Sequence, residues 1–210
     1  MGRFEGEFLA RAEELVGLYP EVRSAIIPLC HLAQEQDGWL TPSAIEHIAE
    51  LVGATPAEVQ GTASFYDMLH LEPVGRWVVS VCTNIACLLC GGEQLLTDAE
   101  ELLGVAVGGT TPDGLFTLEE VECIAHCDKA PAVQVNYRYF GSLDRDGLQA
   151  LLRSLAAGEL DDVVPRHGVL SRVRREAPAP IPLDEIDRER ARQDAERAQR
   201  ARAKDAGGEA

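Results

Sequence analysis

The spacing of apolar positions changes character once along the chain, from a helical period over the first 70 residues to a strand-like one from Arg76 onward. Phe4, Phe8, Leu9, Val16 and Leu18, set among acids, predict a first amphipathic helix over 4–18, stopped by Pro20. Val22, Ala25, Ile26, Leu29, Cys30 and Ala33 share one stripe and predict a second helix over 21–36, ended at Asp37-Gly38. Pro28 lies inside it and removes a backbone donor, so a kink or a broken start is expected there. Thr41-Pro42 opens a third helix that runs to about Val52, before Gly53. Thr55-Pro56-Ala57-Glu58 opens a fourth with a capping box and proline at its first helical position. Four short helices on short loops predict a small helical bundle.

Trp77-Val78-Val79-Ser80-Val81-Cys82 reads as a strand, 92–103 as a helix and 105–107 as a short strand. The turn Thr111-Pro112-Asp113-Gly114 introduces a strand over 115–123. Residues 132–136 and 137–140 read as a hairpin, and 144–155 as a closing helix ended near Gly158. The fold class expected is therefore α+β: a helical bundle over 1–74, then a thioredoxin-like α/β domain over 75–160. Residues 161–210 differ in composition. Pro178, Pro180 and Pro182 mark a linker, and 183–205 is nearly all Ala, Arg, Glu, Asp and Gln, with Asp184/Arg188 and Glu196/Arg200 at helical spacing. A solvated single helix or a flexible tail is expected there.

Charge follows the same division. Residues 1–160 hold 24 acidic and 8 basic side chains, whereas 161–210 hold 11 of each, so the net charge of −16 belongs to the body. An acidic body repels phosphates and anionic lipid, which argues against nucleic acid as a partner. No apolar run reaches the ~18 residues needed to insert in a membrane. The acid-rich start lacks the basic and apolar regions of a secretory signal, so a cytoplasmic setting is expected. The six cysteines then read as metal ligands or buried thiols rather than disulfides.

Cys82/Cys87 follow the first strand and Cys123/Cys127 follow the second, each pair being read as part of a loop. Four thiolates from two loops can hold a four-cysteine metal centre, with a [2Fe-2S] cluster the leading reading. Cys82, Cys87 and Cys90 also spell C-x4-C-x2-C, a plant-type ferredoxin spacing with Cys123 as the fourth ligand, but that leaves Cys127 without a role. Cys90 reads as a bystander and Cys30, on an apolar helix face, as a buried thiol. Zinc in an interaction module is the rival, although structural zinc favours shorter C-x2-C knuckles. His126 reads as an exposed loop residue, with a donor to a cluster sulfur as the sharper alternative; Lys129 is the body's only lysine.

Several separated stretches now come together: His31-Leu32-Ala33-Gln34-Glu35-Gln36-Asp37-Gly38-Trp39-Leu40, Ser64-Phe65-Tyr66, Val81-Cys82-Thr83-Asn84 with Cys87, Thr110-Thr111-Pro112-Asp113-Gly114, Val121-Glu122-Cys123, and Ala130-Pro131 leading to Val135-Asn136. In this order they resemble the small [2Fe-2S] subunits of respiratory complex I, the NADH–quinone oxidoreductases, which are thioredoxin-like ferredoxins. The resemblance covers residues 19–155. It implies that Cys82, Cys87, Cys123 and Cys127 are the ligands of one [2Fe-2S] cluster. It also implies an electron-transfer subunit of a hetero-oligomer, beside a larger subunit that binds flavin and NADH, in a peripheral arm on the cytoplasmic face of the bacterial inner membrane. The chain has no G-x-G-x-x-G turn and no P-loop, in keeping with a nucleotide site held elsewhere. NAD-linked formate dehydrogenases and bidirectional hydrogenase diaphorases share the architecture and remain alternatives. The family has Gly-Ala before the last cysteine where this chain has Ala125-His126, and the charged tail has no counterpart in the resemblance.

Overall fold

The computed structural model describes residues 2–165 and 167, all within a compact unit of residues 1–172. The tail readings over 168–210 lie outside the described residues. The first four helices are α1 (Gly6–Gly17), α2 (Ile26–Asp37), α3 (Pro42–Val52) and α4 (Pro56–Ala63). The break expected at Pro28 takes the form of a 3-10 turn, Val22–Ala25, before α2; Pro28 then falls in the first turn of α2, where its missing N–H is not required. Thr41 accepts from the Ala44 N–H, and Thr55 and Glu58 complete the capping box, so both sequence-read starts have a hydrogen-bonded cause. Leu29, Leu32, Ile48 and Val59, all fully buried, form part of the core between these helices.

Four strands follow: β1 (Trp77–Cys82), β2 (Phe116–Val121), β3 (Ala132–Val135) and β4 (Arg138–Gly141). The sheet order is β2-β1-β3-β4, with β1 parallel to β2 and antiparallel to β3, and β3 antiparallel to β4. Every residue of β1 is buried, as expected of a central strand that reads as a nearly continuous apolar run. The parallel step from β1 to β2 passes through α5 (Ile85–Leu89) and α6 (Gly92–Leu103). Helix α7 (Arg145–Ala156), capped by Asp144, lies beside α6, where Arg145 pairs with Asp98 at 2.7 Å. Trp77, Val79 and Val81 share one core cluster with Leu95, Ala99, Leu148 and Leu152 of these helices.

Three expectations are corrected. Residues 105–107 form no strand: Gly108 and Gly109 turn the chain so that it bonds the edge of β2 through Leu118, with a single bridge from Thr110 to Thr117. Strand β2 ends at Val121 rather than 123, and Cys123 lies two residues past the strand. The residues between Cys82 and Cys87 are not all loop, since Asn84 caps α5 by accepting from the Ile85 N–H and Cys87 sits on that helix.

The second sheet face meets the segment before β1. His70 Nε2 lies 2.7 Å from Glu119, the Tyr137 hydroxyl donates to the Met68 carbonyl at 3.3 Å, and Gln34 bonds both Met68 and His70. Asn136, in the hairpin turn, accepts from the Val78 N–H at 2.8 Å and so ties that turn to the start of β1.

Candidate metal centre

The parallel strands β1 and β2 run in register to Cys82 and Val121, and the Thr83 N–H extends the ladder to the Val121 carbonyl at 3.3 Å. Both cysteine pairs therefore leave the sheet at one end, the carboxyl end, where open α/β sheets collect ligands. Side chains tie the two segments further: Thr83 donates to Glu120 at 2.7 Å and Asn84 to Glu122 at 2.5 Å. Cys82 and Cys87, each 2% exposed, form a small apolar cluster with Ala132, against which Ile124 of the second segment packs. Gly92 lets α6 start against this pair, because a Cβ there would meet the Cys82 carbonyl oxygen at 2.8 Å and Cys87 backbone atoms at 2.9 Å.

Cys123 and Cys127 are exposed, and their sulfurs lie 3.5 Å apart. That is far beyond a disulfide and close to the ~3.8 Å that two sulfurs subtend on one tetrahedral metal with bonds of about 2.3 Å. Sulfurs grouped two and two suit a two-iron core, so the donor set fits a [2Fe-2S] cluster.

Each pair also receives one backbone amide. The Ala125 N–H donates to Cys123 Sγ at 3.4 Å, and the Ala132 N–H donates to Cys87. Burial pushes the Cys87 thiol up to about 11; the Ala132 amide opposes this, and Cys82 and Cys127 add to it. The Cys127 thiol is also raised, first by its hydrogen bond with Cys123 and then by the charge of that neighbour. Thiols that resist ionisation through one another's presence release protons when a metal replaces those protons.

The departure at Ala125-His126 is accommodated locally. Ala125 keeps a left-handed φ of 61°, a conformation that favours glycine, and this orients its amide toward Cys123. His126 is half-buried, not a free loop residue: it stacks on Tyr139 at 5.4 Å, and its Nδ1 lies 3.4 Å from the Asp128 carboxylate. Gly141 permits this closure, since a Cβ there would run into the Lys129 side chain and lie 2.7 Å from its carbonyl oxygen. Cys90, the exposed C-cap of α5, is outside the buried sulfur cluster, and Cys30 is fully buried in α2 with its thiol pushed up to about 12 by burial. Gly92, Gly141 and Tyr139 had no signal in the sequence, because their roles depend on segments far away in the chain. Asn84 before an apolar run was a readable cap.

A four-stranded mixed sheet with two cysteine pairs at the end of its parallel strands defines an iron–sulfur protein of thioredoxin-like architecture. The chain belongs to the thioredoxin-like [2Fe-2S] ferredoxin family, whose model matches residues 12–156. Its cofactor is accordingly a [2Fe-2S] cluster. It is 44% identical over 147 residues to one of the NADH-quinone oxidoreductase subunits of Rhizobium meliloti, covering 70% of this chain and 88% of that one. It is also 44% identical over 150 residues to NADH-quinone oxidoreductase subunit 2 of Thermus thermophilus, covering 70% and 83%. Among solved structures, an NAD+-reducing [NiFe]-hydrogenase in the H2-reduced state matches with a TM-score of 0.54 at 23% identity, covering 59% of this chain and 21% of that one. That is a likeness of fold alone.

Proposed function

We propose that Cys82, Cys87, Cys123 and Cys127 ligate the [2Fe-2S] cluster, and that the chain is the electron-transfer subunit of an NADH:quinone oxidoreductase beside a flavin- and NADH-binding larger subunit. The observation that carries the ligand set is the delivery of both pairs to one end of the β1–β2 ladder. The names of the relatives support the host complex and a hetero-oligomeric state. When bound, the cluster supplies a one-electron carrier and no bond chemistry. The chain's own contribution is electrostatic. Amides of Ala125 and Ala132 offset negative charge at two sulfurs, and burial of Cys82 and Cys87 keeps water from that half of the site.

Ile85 and Leu89, 71% and 81% exposed on the helix that carries Cys87, put apolar surface next to the site and suit a subunit that packs on another. None of the described helices is long and apolar enough to cross a membrane, and a peripheral arm on the cytoplasmic face fits that observation. The division into 1–74, 75–160 and a 161–210 tail belongs to the same reading, although Val164 and His167 of the last part are buried against the domain. Anaerobic purification of the full chain from its own cells tests it: a flavoprotein should copurify, and NADH should reduce the cluster in that assembly while leaving the isolated chain oxidised. Equal reduction of the isolated chain, or a colourless zinc protein, would overturn the reading.

A further inference from the structure

The second sheet face encloses a cavity of about 280 Å³ between the segment at 67–70 and the end of β2, reaching Cys123. Three of its lining residues are acids, Asp67, Glu119 and Glu122, and no lysine or arginine among the described residues lines it. A phosphate or carboxylate ligand would be repelled there. The inner wall holds His167, which is 6% exposed and has no hydrogen-bond partner at either ring nitrogen among the described residues. His70, also on the wall, engages Glu119 through Nε2 and leaves Nδ1 buried without a partner. A neutral His167 keeps one ring nitrogen as an acceptor. Burial, reinforced by His70 and His31, pushes the His167 imidazole down to about 3, so it is neutral at physiological pH. The cavity thus carries negative charge, has the unpartnered His167 on its wall, and has apolar walls at Met68 and Ile124. A flat cation with several N–H groups on an apolar stem satisfies all three conditions, and a guanidinium is that group.

We propose that this cavity is the socket for one arginine side chain presented by the partner protein, with the guanidinium held between Glu119 and His167 and the stem against Met68. The proposal rests on the hetero-oligomeric reading and names its anchor. A single buried arginine at the centre of an interface is the kind of side chain that dominates binding energy. Its place beside Cys123 would fix the partner relative to the proposed cluster ligands.

The test has two arms, both on the full chain. In the first, Nα-acetyl-arginine methylamide is titrated into the cluster-loaded, oxidised full chain and followed by amide NMR, with the uncharged citrulline analogue as control. Saturable shifts at Val78 and Gln134 with the arginine probe alone are expected, weakened about tenfold by Glu119→Gln and by His167→Gln with the far-UV spectrum unchanged. No binding, or equal binding of the citrulline analogue, overturns the proposal. In the second arm a photo-reactive side chain replaces Asp67, and the native assembly is cross-linked and digested. A cross-linked partner segment containing arginine supports the socket. A segment without arginine overturns it while leaving the hetero-oligomer intact, whereas the absence of any copurifying protein overturns both.

Discussion

Cys82 and Cys87 belong to a strand and a helix and are 2% exposed, whereas Cys123 and Cys127 belong to an exposed loop segment and its 3-10 turn. The first pair is part of a small core with Ala132, so the packing that folds the domain also positions its sulfurs. The second pair is held by turn geometry: the left-handed Ala125, the His126–Tyr139 stack and the close approach of Gly141 to Lys129. One half of the site is therefore positioned by the core, and the other by local turn contacts. The two halves should respond differently to the same kind of change.

The largest contrast is expected from ligand substitutions. Cys82→Ser and Cys123→Ser should both abolish the visible absorption of the cluster. In the metal-free protein only Cys82→Ser should destabilise the fold, by about 1–3 kcal/mol, since it buries a hydroxyl. Cys123→Ser should stay within about 0.5 kcal/mol. Urea melts of both metal-free variants measure this, and equal losses would erase the distinction between the pairs.

Glycine substitutions come next. Gly92→Ala forces a Cβ against Cys82 and Cys87 backbone and should cost about 1–3 kcal/mol of metal-free stability. Gly141→Ala instead displaces the Lys129 turn, and should slow iron–sulfur reconstitution while moving the urea midpoint less. A reversed order of midpoints would show that the loop is the stiffer half.

A smaller effect concerns pH. The Cys87 thiol lies at about 11 against an ordinary value near 9, so its contribution to metal-free stability is complete below about pH 9 and is lost as pH rises through 11. Iodoacetamide at about pH 8 should accordingly label Cys123 well before Cys87, which mass spectrometry of timed samples would follow. The smallest effect is expected from Ala125→Gly. Relief of the left-handed φ of 61° should stabilise the loop by about 1 kcal/mol and lengthen the half-life of the cluster in urea; a shortened half-life would mean that Ala125 is unstrained.

What could be read beforehand divides along the same line. Local signals carried far: Thr41-Pro42, the Thr55 capping box and the apolar run of β1 each led to the element found, because caps and burial patterns act over a few residues. Helix α5, at five residues, is too short to show a period, although Asn84 stands at its cap. The strand expected at 105–107 failed for a non-local reason, since the edge of β2 is met by the backbone of Gly108 and Gly109 instead. Long-range approaches left no trace either: Gly92 against Cys82, Tyr139 over His126, and the imidazoles of His70 and His167 at 4.6 Å. The four sulfurs were legible as pairs, but their division into a buried half and an exposed half was not.

The central claim, that the two pairs and not Cys90 hold the cluster, is tested most directly by low-temperature EPR of the reduced full chain carrying Cys90→Ser. The expected result is a [2Fe-2S] signal unchanged in shape and in spin per chain from that of the unsubstituted protein. Loss of the signal in that variant would return Cys90 to the ligand set and contradict the account.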